Sequence, residues 1–304
     1  METKQLLQVD RELIRKKWGK TEGDVMKDIL IIREWLKTQK HLPEVPSNNM
    51  IEFFLTNCKF SIEKTKKNLD MYYTIQTLLP ELYQNCNPCA PEMDRVHDIV
   101  SFLCIPTLTP TLHRLTVIQY HDVDANDNDM KGILSLFLRV FHEIRMHEDL
   151  AMGEIYILDL ERIKFSVISR LTPLLFKKVG FVFEKIHSSR MHALYFYKAP
   201  TLFHNALILF KSLLSKKLSD RVHSFQSMDE ITKHIPIELL PCDYGGQQKS
   251  IKELQGLWKQ KIFEYKDRFE LLETMKVDES LRPEKLKNDE ILGYYGNFKK
   301  IDTD

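Results

Sequence analysis

Beyond about residue 96 this chain alternates short β-rich runs with amphipathic segments, and that alternation restricts its fold more than any other feature. Residues 115–120 are rich in strand-forming side chains. Residues 130–146 follow, with Ile133, Leu134, Phe137, Leu138, Phe141 and Ile144 on one helical face. Residues 155–158 are a short apolar run ending at Asp159, and residues 171–182 read as a helix opening at Thr172-Pro173. An aromatic run at 193–197, a strongly helical stretch at 201–214 and a short strand at 222–225 continue the series. Strands alternating with helices of this length predict an α/β domain with a mainly parallel sheet flanked by helices.

The first 80 residues lack the strand pattern. Residues 22–40 space Val25, Met26, Ile29, Ile32, Trp35 and Leu36 close to a 3.6-residue period, and Leu42-Pro43-Glu44-Val45-Pro46 stops that helix. Residues 50–57 and 61–79 read as two more helices, the second with Ser61 as its N-cap. Residues 1–80 are therefore expected to form a small all-helical domain. Residues 81–95, where Cys86-Asn87-Pro88-Cys89-Ala90-Pro91 follows Pro80, suit a linker better than a helix or strand. Residues 96–250 then form the α/β domain, and 251–304 a C-terminal helix and polar tail.

Composition excludes several classes. Lys plus Arg number 44 against 43 Asp plus Glu, so no global basic field drives this chain to nucleic acid. Ten glycines, with neither G-x-G-x-x-G nor a P-loop, argue against a Gly-rich nucleotide site. Five scattered cysteines do not make a disulfide scaffold, and no apolar stretch reaches the ~20 residues of a spanning helix. The expectation is a soluble, reduced, cytoplasmic protein.

Catalytic and metal motifs fail on spacing. His142 and His147 are five apart, about 140° around a helix, where a zinc pair needs four; solvent-side histidines are expected instead. Asp122-Val123-Asp124-Ala125-Asn126-Asp127 opens like a calcium loop, but lacks its Gly and its closing Glu. A polar turn at a helix N-terminus fits it better. Cys86 and Cys89 lack the strand–helix context of a redox pair and the second pair of a zinc site. No G-x-S-x-G elbow is present. Neither an enzyme nor a cofactor or metal is expected.

Residues 185–223 do stand out. Seven Lys or Arg (Lys185, Arg190, Lys198, Lys211, Lys216, Lys217, Arg221) meet one acid, Asp220, a net +6 in a near-neutral chain. Beside them Leu202, Phe203, Ala206, Leu207, Leu209, Phe210, Leu213 and Leu214 make a broad apolar stripe. Lys217 and Arg221 share a face if that helix continues. A membrane-contacting helix and an ordinary packed helix with a solvated end explain this pattern equally well.

Leu240-Pro241-Cys242-Asp243-Tyr244-Gly245-Gly246 resembles the L-P-x-E-Y-G-G signature that closes the CRAL-TRIO lipid-binding domain, with Asp for Glu. Ile157-Leu158-Asp159-Leu160-Glu161 resembles the family's strand ending in D-L-E, with Arg162 in place of the usual Gly. Ala199-Pro200-Thr201-Leu202-Phe203 is similar to its N-x-P-x-x-F step into a mobile lid helix, with Lys198 for the Asn. Asn68-Leu69-Asp70-Met71-Tyr72-Tyr73 resembles the accompanying helical domain. Gly296-Asn297-Phe298-Lys299-Lys300-Ile301-Asp302 resembles the ending of the invertebrate alpha-tocopherol-transfer-protein-like branch.

The resemblance implies a CRAL-TRIO fold with an apolar pocket under a lid helix. It implies a non-enzymatic carrier of one hydrophobic molecule such as tocopherol or a retinoid. Phe203, Leu207 and Phe210 would face the pocket from the lid, and Phe165, Ser166 and Ser169 would lie along its wall, with the hydroxyls available to the cargo's polar end. A phosphoinositide cleft would use Arg190, His192, Lys217 and Arg221, making an anionic membrane surface a transient partner. Phe54-Leu55-Thr56-Asn57-Cys58 lacks two arginines of the family's F-L-R-A-R segment, which Lys59 offsets in part. The competing class is a docking module that keeps the fold without transporting anything. A filled interior would favour that class, and a cavity of roughly 300–1,000 Å³ would favour the carrier.

Overall fold

Side-chain caps set the helical frame at the N-terminal end. In the computed structural model, which describes residues 6–83, 87–182 and 190–284, Asp10 caps α1 (Arg11–Lys17) and Thr21 closes a capping box on α2 (Glu22–Leu36). Ser47 caps α3 (Asn48–Asn57) and Ser61 caps α4 (Ile62–Leu78), each accepting a hydrogen bond from a backbone N–H of the first turn. Ile29, Ile32, Met50, Phe54, Leu69 and Tyr73 pack inside these helices as one buried cluster. Two segments expected to be linker are helical: α5 (Pro80–Tyr83), and α6 (Glu92–Ile99), which starts before residue 96. Pro80 and Pro91 sit at helix starts, where a missing N–H costs nothing. Prolines read as breakers are therefore initiators here.

Five strands follow in the spatial order β1-β2-β3-β4-β5. They are β1 (Val100–Cys104), β2 (His113–Tyr120), β3 (Gly153–Asp159), β4 (Met191–Tyr197) and β5 (Val222–Phe225). β1 runs antiparallel to β2, and the other pairings are parallel, so the mainly parallel sheet is present. Sequence reading missed β1, whose apolar run continues into a proline-containing loop. Parallel pairing requires helical crossovers. Between β2 and β3 lie α7 (Asp127–Ser135), a π-helical turn (Leu136–Val140) and α8 (Phe141–Glu148). Asn126 caps α7 in a box with Asp129, so the calcium-like stretch is a helix entry.

The histidine pair of α8 departs from expectation. His142 is buried with its ring edge on Phe53, while His147 lies 3.1 Å from Glu143. Among the described residues no group of His, Cys, Asp and Glu could hold a metal, and no helix is long and apolar enough to cross a membrane.

Between β3 and β4 come α9 (Phe165–Ile168) and α10 (Pro173–Phe181), the latter capped by Thr172. A 3₁₀ turn (Thr201–Phe203), α11 (His204–Leu213) and α12 (Lys216–Ser219) lead to β5, which α13 (Met228–Ile231) follows. The C-terminal helix is two helices, α14 (Ile251–Glu264) and α15 (Lys266–Thr274), broken at Tyr265. They pack as part of the core. Trp258 is buried and donates to the Cys104 carbonyl at 3.0 Å, while Arg268 ties Glu44 (2.6 Å) to Glu143 (2.7 Å). Cys86, Lys185 and residues 296–302, to which parts of the sequence reading apply, lie outside the described residues.

Candidate functional site

Successive side chains of a strand alternate between its two faces, and on this sheet a set of even-numbered residues toward one end faces a cavity. The register places Phe102, Ile118, Leu158 and Phe196 in one row across four strands. Val100 pairs with Tyr120, and Tyr156 with Leu194, on the same side. All eight line an interior space of about 500 Å³, within the roughly 300–1,000 Å³ typical of small-molecule sites. The helices α7 (Met130, Ile133), α10 (Leu175, Phe176, Val179) and α11 (Phe210) complete the walls. No acidic side chain borders it among the described residues.

Two helices form the cover, where the sequence suggested one. The rings of Phe176 on α10 and Phe210 on α11 meet at 5.2 Å, and Phe203 stacks toward Phe196 at 5.3 Å. Neither α10 nor α11 contains a fully buried residue. An element with so little burial opens at low free-energy cost.

Three sequence motifs acquire physical reasons here. Lys198 has φ +50°, the left-handed region that Asn adopts more readily, and its ammonium pairs with Glu161 at 2.7 Å. That contact joins the turn into the cover to the D-L-E strand end. Tyr244 donates to Asp159 at 2.7 Å, and Gln119 donates to the same carboxylate at 3.0 Å, which ties the closing motif to the strand ends. Gly245 has φ +80°, and a Cβ on Gly246 would overlap the Leu240 carbonyl oxygen, so both glycines are sterically required.

At the other end, where β2 and β4 begin, the cavity turns cationic. Lys59 and Lys64 reach it from the helical domain, and Arg190, His192, Lys217 and Arg221 from the α/β domain. None of its lysines and arginines (Lys59, Lys64, Arg190, Lys217 and Arg221) has an acidic partner among the described residues. Arg190 lies over Trp18 at 4.8 Å, with Nη1 buried and unpartnered, and Arg221 donates to the Met191 carbonyl. Lys59 and Phe60 both take φ +57°, a left-handed pair closing α3. His113 stacks on His192 at 4.1 Å. Burial, reinforced by His192, Arg190 and Arg221, pulls the His113 imidazole down to about 4, and burial with Arg221 and Arg190 lowers His192 as well.

The structure thus gathers Phe203, Phe210, Arg190, His192, Lys217 and Arg221 around one cavity. It does not bring the remaining candidates to that wall. Phe165 is 65% exposed. Ser166 Oγ accepts from the Ala125 N–H at 3.0 Å, Ser169 Oγ donates to the Ser166 carbonyl, and neither residue borders the cavity. Leu207 packs on the core without bordering the cavity. Nor does the helix carry on through Lys217 and Arg221. Leu214 is extended, and the two cations converge through a turn rather than along a face. Sequence reasoning missed Tyr120, Lys64, His113 and the α10 wall. The even-numbered alternation through Ile118 and Tyr120 was the signal for the first.

Residues 101–246 match the CRAL/TRIO domain, and residues 21–93 match the Pinta-like, UBA domain. The α/β portion is thus a CRAL/TRIO domain behind a helical domain, and the architecture is the CRAL-TRIO fold. Such domains bind and transfer lipids and are not enzymes, which makes lipid binding the general activity defined here. The solved structure described as "Crystal structure of Sfh5" is similar over 84% of this chain and 100% of that one, at 14% identity and a TM-score of 0.45. That likeness is too loose to carry anything further.

Proposed function

We propose that this protein carries a single hydrophobic small molecule, a tocopherol, a retinoid or a related lipid, and exchanges it at anionic membranes. The observation that carries this reading is the cavity of about 500 Å³, floored by Val100, Phe102, Ile118, Leu158, Leu194 and Phe196 of the sheet. A docking module gains nothing from an interior cavity of this size, since side chains that filled it would stabilise the fold. Burying a lipid's apolar body supplies the affinity, at ~25 cal/mol per Å². The cover exposes Leu174, Leu202, Ile208 and Leu213 on its outer side, which supports contact with a bilayer surface during loading. The cationic end, with Arg190, His192, Lys217 and Arg221 joined by Lys59, suits a phosphoinositide headgroup. Mass spectrometry of lipid extracted from the purified protein tests the reading. One hydrophobic species in near-stoichiometric amount supports it, and a lipid-free protein that loads neither a fluorescent retinoid nor a tocopherol analogue refutes it.

A further inference from the structure

The two ends of the cavity differ in chemistry. Along β2 its floor runs from His113, beside the cations, to Tyr120. Seven residues of strand at ~3.3 Å each put these ends about 23 Å apart. Two phenols, Tyr120 and Tyr156, line the apolar part. Tyr156 is committed to the fold, because its hydroxyl donates to Glu154, which Arg145 holds at 2.7 Å. Tyr120 has no such commitment. No described residue gives its hydroxyl a hydrogen bond, and Tyr120 pairs with Val100 in the strand register, two residues beyond Ile118 on the same face. Burial alone pushes its phenol up to about 12, so at neutral pH it stays protonated, able both to donate and to accept.

A hydroxyl that borders an apolar cavity loses its water when an apolar body fills that space, and it regains a hydrogen bond only from a polar group on what enters. We infer that Tyr120 anchors the polar end of the cargo, and that the cargo is an amphiphile with a neutral hydroxyl or carbonyl at its leading end rather than a pure hydrocarbon. The inference rests on the carrier reading above. An anionic leading end is disfavoured at this position, since among the described residues the cations lining the cavity lie where β4 starts, at the far end from Tyr120. An acid would have to enter reversed.

The test compares farnesol with farnesene, its hydrocarbon counterpart, as displacers of Nile red from the full-length protein and from Tyr120→Phe. One hydrogen bond predicts that the wild type prefers farnesol by about fivefold. Tyr120→Phe should abolish that preference, leave farnesene affinity unchanged, and leave the melting temperature equal or higher. A preference that survives in Tyr120→Phe, or is absent from the wild type, overturns the inference while the carrier reading stands. A lower melting temperature for Tyr120→Phe also overturns it, since the hydroxyl would then have a structural partner. Failure of the wild type to load Nile red at all refutes the carrier reading, and the anchor with it.

Discussion

Removing charge from the cationic end separates membrane attachment from cargo binding. The perturbation is Arg190→Ala with Lys217→Ala and Arg221→Ala. Lys217 is exposed, Arg190 and Arg221 are half-buried, and none of the three has an acidic partner among the described residues. Their charge is therefore available to an outside anion. Each basic residue near an anionic surface contributes about 1 kcal/mol, so the three together contribute ~3 kcal/mol, on the order of a hundredfold in partitioning. Co-sedimentation with liposomes containing phosphatidylinositol bisphosphate measures this directly, and binding of the wild type should fall as salt rises because exposed charges are screened over ~8 Å at physiological ionic strength. Arg190 also covers Trp18, and Arg221 also holds the Met191 carbonyl, so the variant loses packing as well as charge. A second variant with lysine at both arginine positions keeps the charge and should keep most of the binding. Loading of a neutral retinoid should change little, because the apolar contacts run along the sheet, although these cations form the end wall of the same cavity. Equal binding of the wild type to neutral and anionic liposomes at low salt would refute the reasoning.

Phe210→Asp places a carboxylate against the rings of Phe176 and Phe196 and should abolish loading of a fluorescent retinoid with the circular dichroism spectrum unchanged; Leu207→Asp, off the cavity wall, should load more nearly like the wild type. His97 and His113 are both held down to about 4, burial being the first cause in each, so their folded forms bind protons less readily than an unfolded chain. Stability is then fully present above an ordinary histidine value of ~6.5 and is lost as pH falls toward about 4; a melting temperature that holds constant across that window in a denaturation series would contradict this. Gly246→Ala drives a methyl into the Leu240 carbonyl and should destabilise by about 3 kcal/mol or more, read by urea denaturation, while Gly256→Ala, with open space around its Cα, should not.

Local physics makes much of this protein legible in its sequence alone. Helix caps at Ser61 and Thr172, period-3.6 faces and β-rich runs depend on neighbours in the chain, so the helical domain and the parallel sheet follow from spacing. The closing motif is legible for a similar reason. Gly245 and Gly246 answer steric demands within their own turn. Pairing decides the rest. β1 is a strand because it docks antiparallel on β2, and its own residues do not announce that. Phe165, Ser166 and Ser169 lie close in sequence to the D-L-E strand, yet the chain turns away there and spends Ser166 on the Ala125 N–H. Lys59, Lys64, Arg190, Lys217 and Arg221 are dispersed over more than half the chain, and they form one cationic end because strands β2 and β4 start at the same edge of a parallel sheet. Likewise, Tyr120 is one aromatic residue among many in the sequence. It becomes a hydroxyl on an apolar cavity, without a hydrogen-bond partner among the described residues, because the register puts it on the side of Val100 and Ile118 under two lightly packed helices. Sequence determines which residues can be buried, and tertiary pairing determines which of them are left facing a space that the protein itself does not fill.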